Sequence, residues 1–156
     1  MTTLQLSGAA IDGDQSSCTV HQFLLILEEL AADARVADLV WYGADISPSP
    51  AELEQLGTQS ASKIGTLEDL RGLFRSLTIP QLDFGILIAV ATEERAPPSN
   101  VLLSSDGEAG RRFETSEIEL LAFDDTYIEI TSDRPELVER LIARFPTAKA
   151  IDGTTP

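Results

Sequence analysis

Residues 84–91 read FGILIAVA, a run with no polar side chain, bounded by Pro80 upstream and by Glu93 and Glu94 downstream. It is far shorter than the roughly 20 residues that span a bilayer. A strand turns successive side chains to opposite faces, so a strand without a polar face has none to give to water. This run is therefore expected as a central strand, buried on both sides, and everything else in the chain must supply its cover.

Helical cover is easy to find. Thr19 and Gln22 form a capping-box pair, and Val20, Phe23, Leu24, Leu27, Leu30, Ala31 and Ala34 recur at helical spacing. A second helix is expected over Thr66–Leu77, with Leu67, Leu70, Leu73, Phe74 and Leu77 on one face. Ser49, Pro50 and Glu52 read as another helix start. The last helix is expected to start at Asp133 and Glu136, to set Leu137, Val138, Leu141, Ile142 and Phe145 on one continuous arc, and to stop at Pro146. Strand signals lie at Thr3–Ser7, read as a short edge strand, and at Asp38–Asp45. Residues 95–116 are the least regular part, with a short strand at Val101–Ser104. The expected fold is mixed α/β (α+β): a single-layer sheet of about five strands with helices packed on it, ending in a β-hairpin and an amphipathic helix. Residues 1–150 are read as one globular domain and 151–156 as a frayed tail.

The hairpin, IELLAFDDTYIEIT at 118–131, fixes its own register. A two-residue Asp124–Asp125 loop would pair Glu119 with Ile130 and place a carboxylate among core isoleucines. A three-residue loop, Asp124 to Thr126, pairs Ala122 with Ile128 and Leu120 with Ile130, because paired residues share a face. The opposite face then sets Phe123 beside Tyr127, Leu121 beside Glu129 and Glu119 beside Thr131. Aromatics ringed by charge are how many binding surfaces are built. The candidate partner-binding residues are Glu117, Glu119, Phe123, Asp124, Asp125, Tyr127 and Glu129. The competing expectation is that a helix or the 95–116 segment covers this face and makes the aromatics core.

Charge narrows the choice of partner. The chain of 156 residues carries 26 Asp and Glu against 11 Lys and Arg, a formal net charge of -15. Such a field repels nucleic acid and anionic membranes and attracts a basic protein. Arg111 and Arg112 are too few for a nucleic-acid footprint. The 43% apolar content is enough for a core without disulfides. One cysteine, Cys18, and the absence of a basic n-region and apolar core near Met1 lead to the expectation of a cytoplasmic protein.

Catalytic motifs are sparse. Cys18 and His21 are three apart at a helix start, and a dyad is the sharp reading. The adopted one is a hydrophobic staple between Cys18 and Phe23. Asp124, Asp125 and Glu129 or Glu117 could approach magnesium or calcium, yet no EF-hand spacing appears, and Asp–Asp also suits a turn. No phosphate loop, dinucleotide fingerprint or nucleophile elbow is present. No catalytic residue, cofactor or metal is assigned. In physical character alone the chain resembles bacterial immunity proteins and antitoxins, which implies no residue roles. The expected function is an acidic, non-catalytic binding protein that neutralises a basic partner such as a toxin. The alternatives are a carboxylate-dependent, metal-assisted hydrolase and a self-assembling structural subunit whose aromatic face forms a homodimer.

Overall fold

The computed structural model describes residues 1–49 and 51–151, apart from the side chain of Glu52. Its centre is a single antiparallel sheet of seven strands. In chain order these are β1 (Thr2–Leu6), β2 (Val40–Ser47), β3 (Ser62–Gly65), β4 (Phe84–Val90), β5 (Ile118–Phe123), β6 (Tyr127–Ser132) and β7 (Lys149–Ile151), arranged in space as β3-β2-β4-β5-β6-β1-β7. Five helices accompany them: α1 (Gly8–Ile11), α2 (Val20–Ala31), α3 (Ala34–Ala37), α4 (Leu67–Ser76) and α5 (Pro135–Arg144). The mixed α+β class agrees with the sequence reading. The strand number does not: seven replaces about five.

The apolar run becomes β4, an interior strand between β2 and β5. On one face Leu87 and Ala89 join the main core with Leu4, Leu6, Leu120 and Ile130, under α2, α4 and α5. On the other face Ile86, Ile88 and Val90 pack with Tyr42, Ala44 and Leu121. Leu103, Val101 and Phe113, from the irregular segment between β4 and β5, lie over them. One layer of helices and one strap of irregular chain thus supply the double cover that the composition of β4 demands.

The helix signals were sound where a side chain and a backbone group are close in sequence. Thr19 and Gln22 exchange both capping-box bonds, each at 3.1 Å. Cys18 and Phe23 both lie in the core, as the staple reading requires. Thr66 caps α4, with Asp69 as its reciprocal partner. Helix α2, however, stops at Ala31, and Asp33 caps the separate α3 by accepting from Arg35 N at 3.0 Å. Asp133 does not cap α5. The cap position falls to Arg134, ahead of Pro135, and the Asp133 carboxylate pairs with Arg111 instead. After Ser49 the chain forms a 3₁₀ segment, Ala51–Leu56, and the Ser49 hydroxyl donates to Leu53 O at 3.0 Å. The roles expected of Pro50 and of the Glu52 side chain lie outside the described residues, as does the 152–156 part of the tail. Ile151 ends β7.

Strand corrections have a common cause. β3 and β7 are short edge strands, SKIG and KAI, with too few residues to show a period. β1, expected as an edge strand, lies between β6 and β7. The short strand expected at Val101–Ser104 is a single bridge from Leu102 to Ser60.

Gly65 closes β3 at φ +126°, where an added Cβ would stand 2.3 Å from Asp69 Oδ2. Glycine is needed both for the backbone angle and to leave the α4 cap in place. Gly65→Ala is expected to destabilise the fold by about 1–3 kcal/mol. Urea unfolding of the variant measures this, and an unchanged midpoint would contradict it.

Candidate functional site

The hairpin adopts the three-residue-loop register. Ala122 pairs with Ile128, Leu120 with Ile130, and Phe123 with Tyr127. Asp124 and Asp125 both take left-handed backbone angles, φ 45° and 53°, which Asp tolerates better than most residues. Thr126 N then bonds Phe123 O at 2.9 Å to close the turn.

On the face away from the helices, Phe123 and Tyr127 stack with ring centroids 5.2 Å apart and 12° between planes. Phe84 of β4 meets Phe123 edge-on at 6.0 Å and 84°. The three half-buried rings form a row across β4, β5 and β6 at the turn end of the sheet. Exposed Asp83, Asp124 and Asp125 border it. Partial desolvation, then a hydrogen bond with Asp83 and its charge, raises Asp125 above the ordinary carboxylate value of 3.8.

Cys18 braces this corner from beneath. Its thiol donates to Tyr127 O at 3.0 Å, and its own carbonyl accepts from Leu82 N at 3.0 Å. Burial pushes the thiol pKa up to about 11, with the nearby Asp125 and Asp83 adding to the effect. A thiol held protonated and inaccessible is a poor nucleophile, so the Cys18–His21 dyad has no chemical basis here.

The remaining candidate residues are buried or paired. Glu119 is only 3% exposed. Its carboxylate accepts from Arg112 N at 2.7 Å, Phe113 N at 2.8 Å and Ser116 Oγ at 2.6 Å. It clasps the strap to the sheet and faces no solvent. Desolvation still raises its pKa, against the lowering effect of these three donors. Glu129, 2% exposed, accepts from Gln5 Nε2 at 2.9 Å through one oxygen; the other has no hydrogen-bond partner among the described residues. Glu117 accepts from Arg134 Nε at 3.1 Å. The structure therefore brings Phe123, Asp124, Asp125 and Tyr127 together at the turn, whereas Glu119 and Glu129 are buried, Glu129 beside Tyr127, and Glu117 is held by Arg134. The expectation that the 95–116 segment covers this face holds for the Leu121 and Glu119 rows. Asp83 and Phe84 were missed because they join the tip only through the pairing of Phe84 with Phe123, which local sequence does not encode.

Among the described residues no three His, Cys, Asp or Glu side chains are placed to hold a metal ion together. No helix of the described residues is long and apolar enough to cross a membrane. No protein-family model, curated protein or solved structure matches this chain.

Glu119→Ala would leave two backbone N–H groups of the strap without acceptors in a buried place. A loss of about 2–4 kcal/mol is expected, together with faster hydrogen exchange at the Arg112 and Phe113 amides. Because the folded-state pKa of Glu119 is raised, its contribution is greatest below the ordinary glutamate value of 4.5 and fades as pH rises through the raised value. The variant should lose that part of the pH dependence; an identical stability–pH curve would sink the assignment.

Proposed function

We propose that the protein is a non-catalytic, acidic binding protein that neutralises a basic protein partner, and that it docks through the hairpin tip. The observation that carries this reading is the aromatic row Phe84–Phe123–Tyr127, half open to solvent and edged by Asp83, Asp124 and Asp125. Stacked rings on paired strands lose little side-chain freedom on docking, so they make good apolar anchors. The carboxylates at their border favour a cationic partner, and the net charge of -15 extends that attraction beyond contact distance. Left-handed Asp124 and Asp125 hold the acidic groups on a fixed turn, while the Cys18–Tyr127 bond anchors the base of β6.

Two effects should separate in kinetics. Tyr127→Ala is expected to speed dissociation about tenfold to thirtyfold, about 1.4–2 kcal/mol, with little change in association. Asp124→Asn with Asp125→Asn is expected to slow association and to flatten its salt dependence. Lowering pH through a range above 3.8 should mimic the Asp125→Asn part of that variant, because the raised Asp125 takes up its proton there. The deciding experiment is affinity capture from native extract at low salt on immobilised wild-type and variant proteins. A basic protein held stoichiometrically by wild type, released by moderate salt and lost from both variants supports the reading. Equal retention on all three columns removes the hairpin tip from it.

A further inference from the structure

A second surface lies at the far edge of the sheet. Among the described residues β3 pairs with β2 alone and ends the strand order, so no described strand lies beyond its outer backbone N–H and C=O groups. Alongside it runs a groove of about 390 Å³ between the 3₁₀ segment and α4. Half-buried Ile64 and Leu73 form its apolar floor over the buried Leu53 and Leu56. Gln55, Lys63, Asp69 and Ser76 give it polar walls. Gly72 keeps its α4 wall low: a Cβ added there meets nothing within 4 Å. A second hollow of about 540 Å³ reaches from Asp38 to Glu93 and shares Lys63, Ile64 and Asp69 with the first. Lys63 and Ile64 of the strand thus line both hollows.

Period two sets what can occupy this edge. Ile64 belongs with the helical-side core, whereas Lys63, next in the strand, pairs with Glu93. An added strand would alternate in the same way, one set of side chains into the Leu53–Leu73 groove and the other beside Glu93. The Glu93 carboxylate already neutralises Lys63, and exposed Asp38 stands across the same hollow. Asp69, which caps α4, is held below the ordinary aspartate range by the Thr66 N–H and hydroxyl, and stays ionised. The uncompensated charge along this edge is negative.

We propose that β3 accepts an extended basic segment of a partner protein by strand addition, with alternate apolar residues filling the groove and Lys or Arg on the opposite face. The charge of this occupant rests on the basic-partner reading above; the surface itself is distinct from the hairpin tip. A second copy of this chain is the poorer occupant, since it would bring another net charge of -15 to an edge already acidic.

The test uses an eight-residue synthetic peptide of alternating lysine and valine, titrated into isotope-labelled protein at low salt. Amide shifts and slowed exchange are expected at Ser62–Gly65. Replacing every lysine of the peptide by serine should weaken binding about tenfold or more. Gly72→Leu fills the groove from a helix position with open space, so it should fold normally and bind the peptide about tenfold or more weaker. Normal binding by Gly72→Leu overturns the proposal, as does an absence of shifts in β3. Shifts confined to Phe123–Tyr127 also overturn it but leave the hairpin reading intact, whereas β3 shifts with equal retention on the hairpin variants do the reverse. A wild-type dimer that Gly72→Leu dissolves would assign the edge to a second copy and refute the basic occupant.

Discussion

Covering β4 on both faces is the constraint from which the rest of the structure follows. Helices cover one face at little polar cost, because their backbone groups bond internally. The other face is covered by an irregular strap, whose backbone has no such provision and must find acceptors outside itself. Two carboxylates supply them. Asp45 accepts from both N and Oγ of Ser105 at 2.8 Å, and Glu119 takes the N–H groups of Arg112 and Phe113. Glu117 N also bonds Ala89 O at 2.8 Å, and Leu103 N bonds Gln59 O at 2.8 Å, so the strap is secured at several points along its length. Desolvating Glu119 is costly, and its raised pKa records that cost. The alternative, unpaired N–H groups over an apolar face, would cost more.

This arrangement changes the meaning of the acidic composition. A net charge of -15 suggests a surface strewn with carboxylates, yet many have structural posts. Asp33 and Asp69 cap helices, Asp45 and Glu119 hold the strap, and Glu117 and Asp133 pair with Arg134 and Arg111. What remains for a partner is concentrated at the Asp83–Asp124–Asp125 corner, while exposed Asp38 and the ionised Asp69 cap leave the β3 edge acidic as well. Charge counting finds the long-range field of such a protein, but only the hydrogen-bond geometry says which charges are free to face another molecule.

The same distinction explains what the chain discloses before folding. The Thr19–Gln22 box, the Thr66 cap and the hairpin register depend on residues a few positions apart, and all three were legible. Glu119 was legible only halfway. Its register placed it correctly beside Thr131, on a face whose neighbours Leu121 and Phe123 are apolar, and that apolar company was the hint that it would be buried. Nothing local said that backbone N–H groups seven and six residues earlier would come to meet it. β3, β7 and the interior placement of β1 depend on partners that short range cannot supply. The α5 cap failed differently: both Asp133 and the Pro135 signal were present, and proline at the first helical turn set the boundary two residues beyond the aspartate.

The place of β1 has a consequence for how the molecule comes into being. Thr3 meets Thr131 across 128 positions, and Gln5 meets Glu129 across 124. At about 5–20 residues per second of synthesis, the strand made first waits roughly 6–25 seconds for its neighbour to be made. Throughout that interval neither of its two neighbours in the sheet has been made. Its composition suits the wait: TTLQL carries only two large apolar side chains, separated by glutamine, and makes a weak nucleus for aggregation. Closure of the sheet at β1 therefore waits until the chain has been made as far as β6, and the two-leucine strand is suited to that delay.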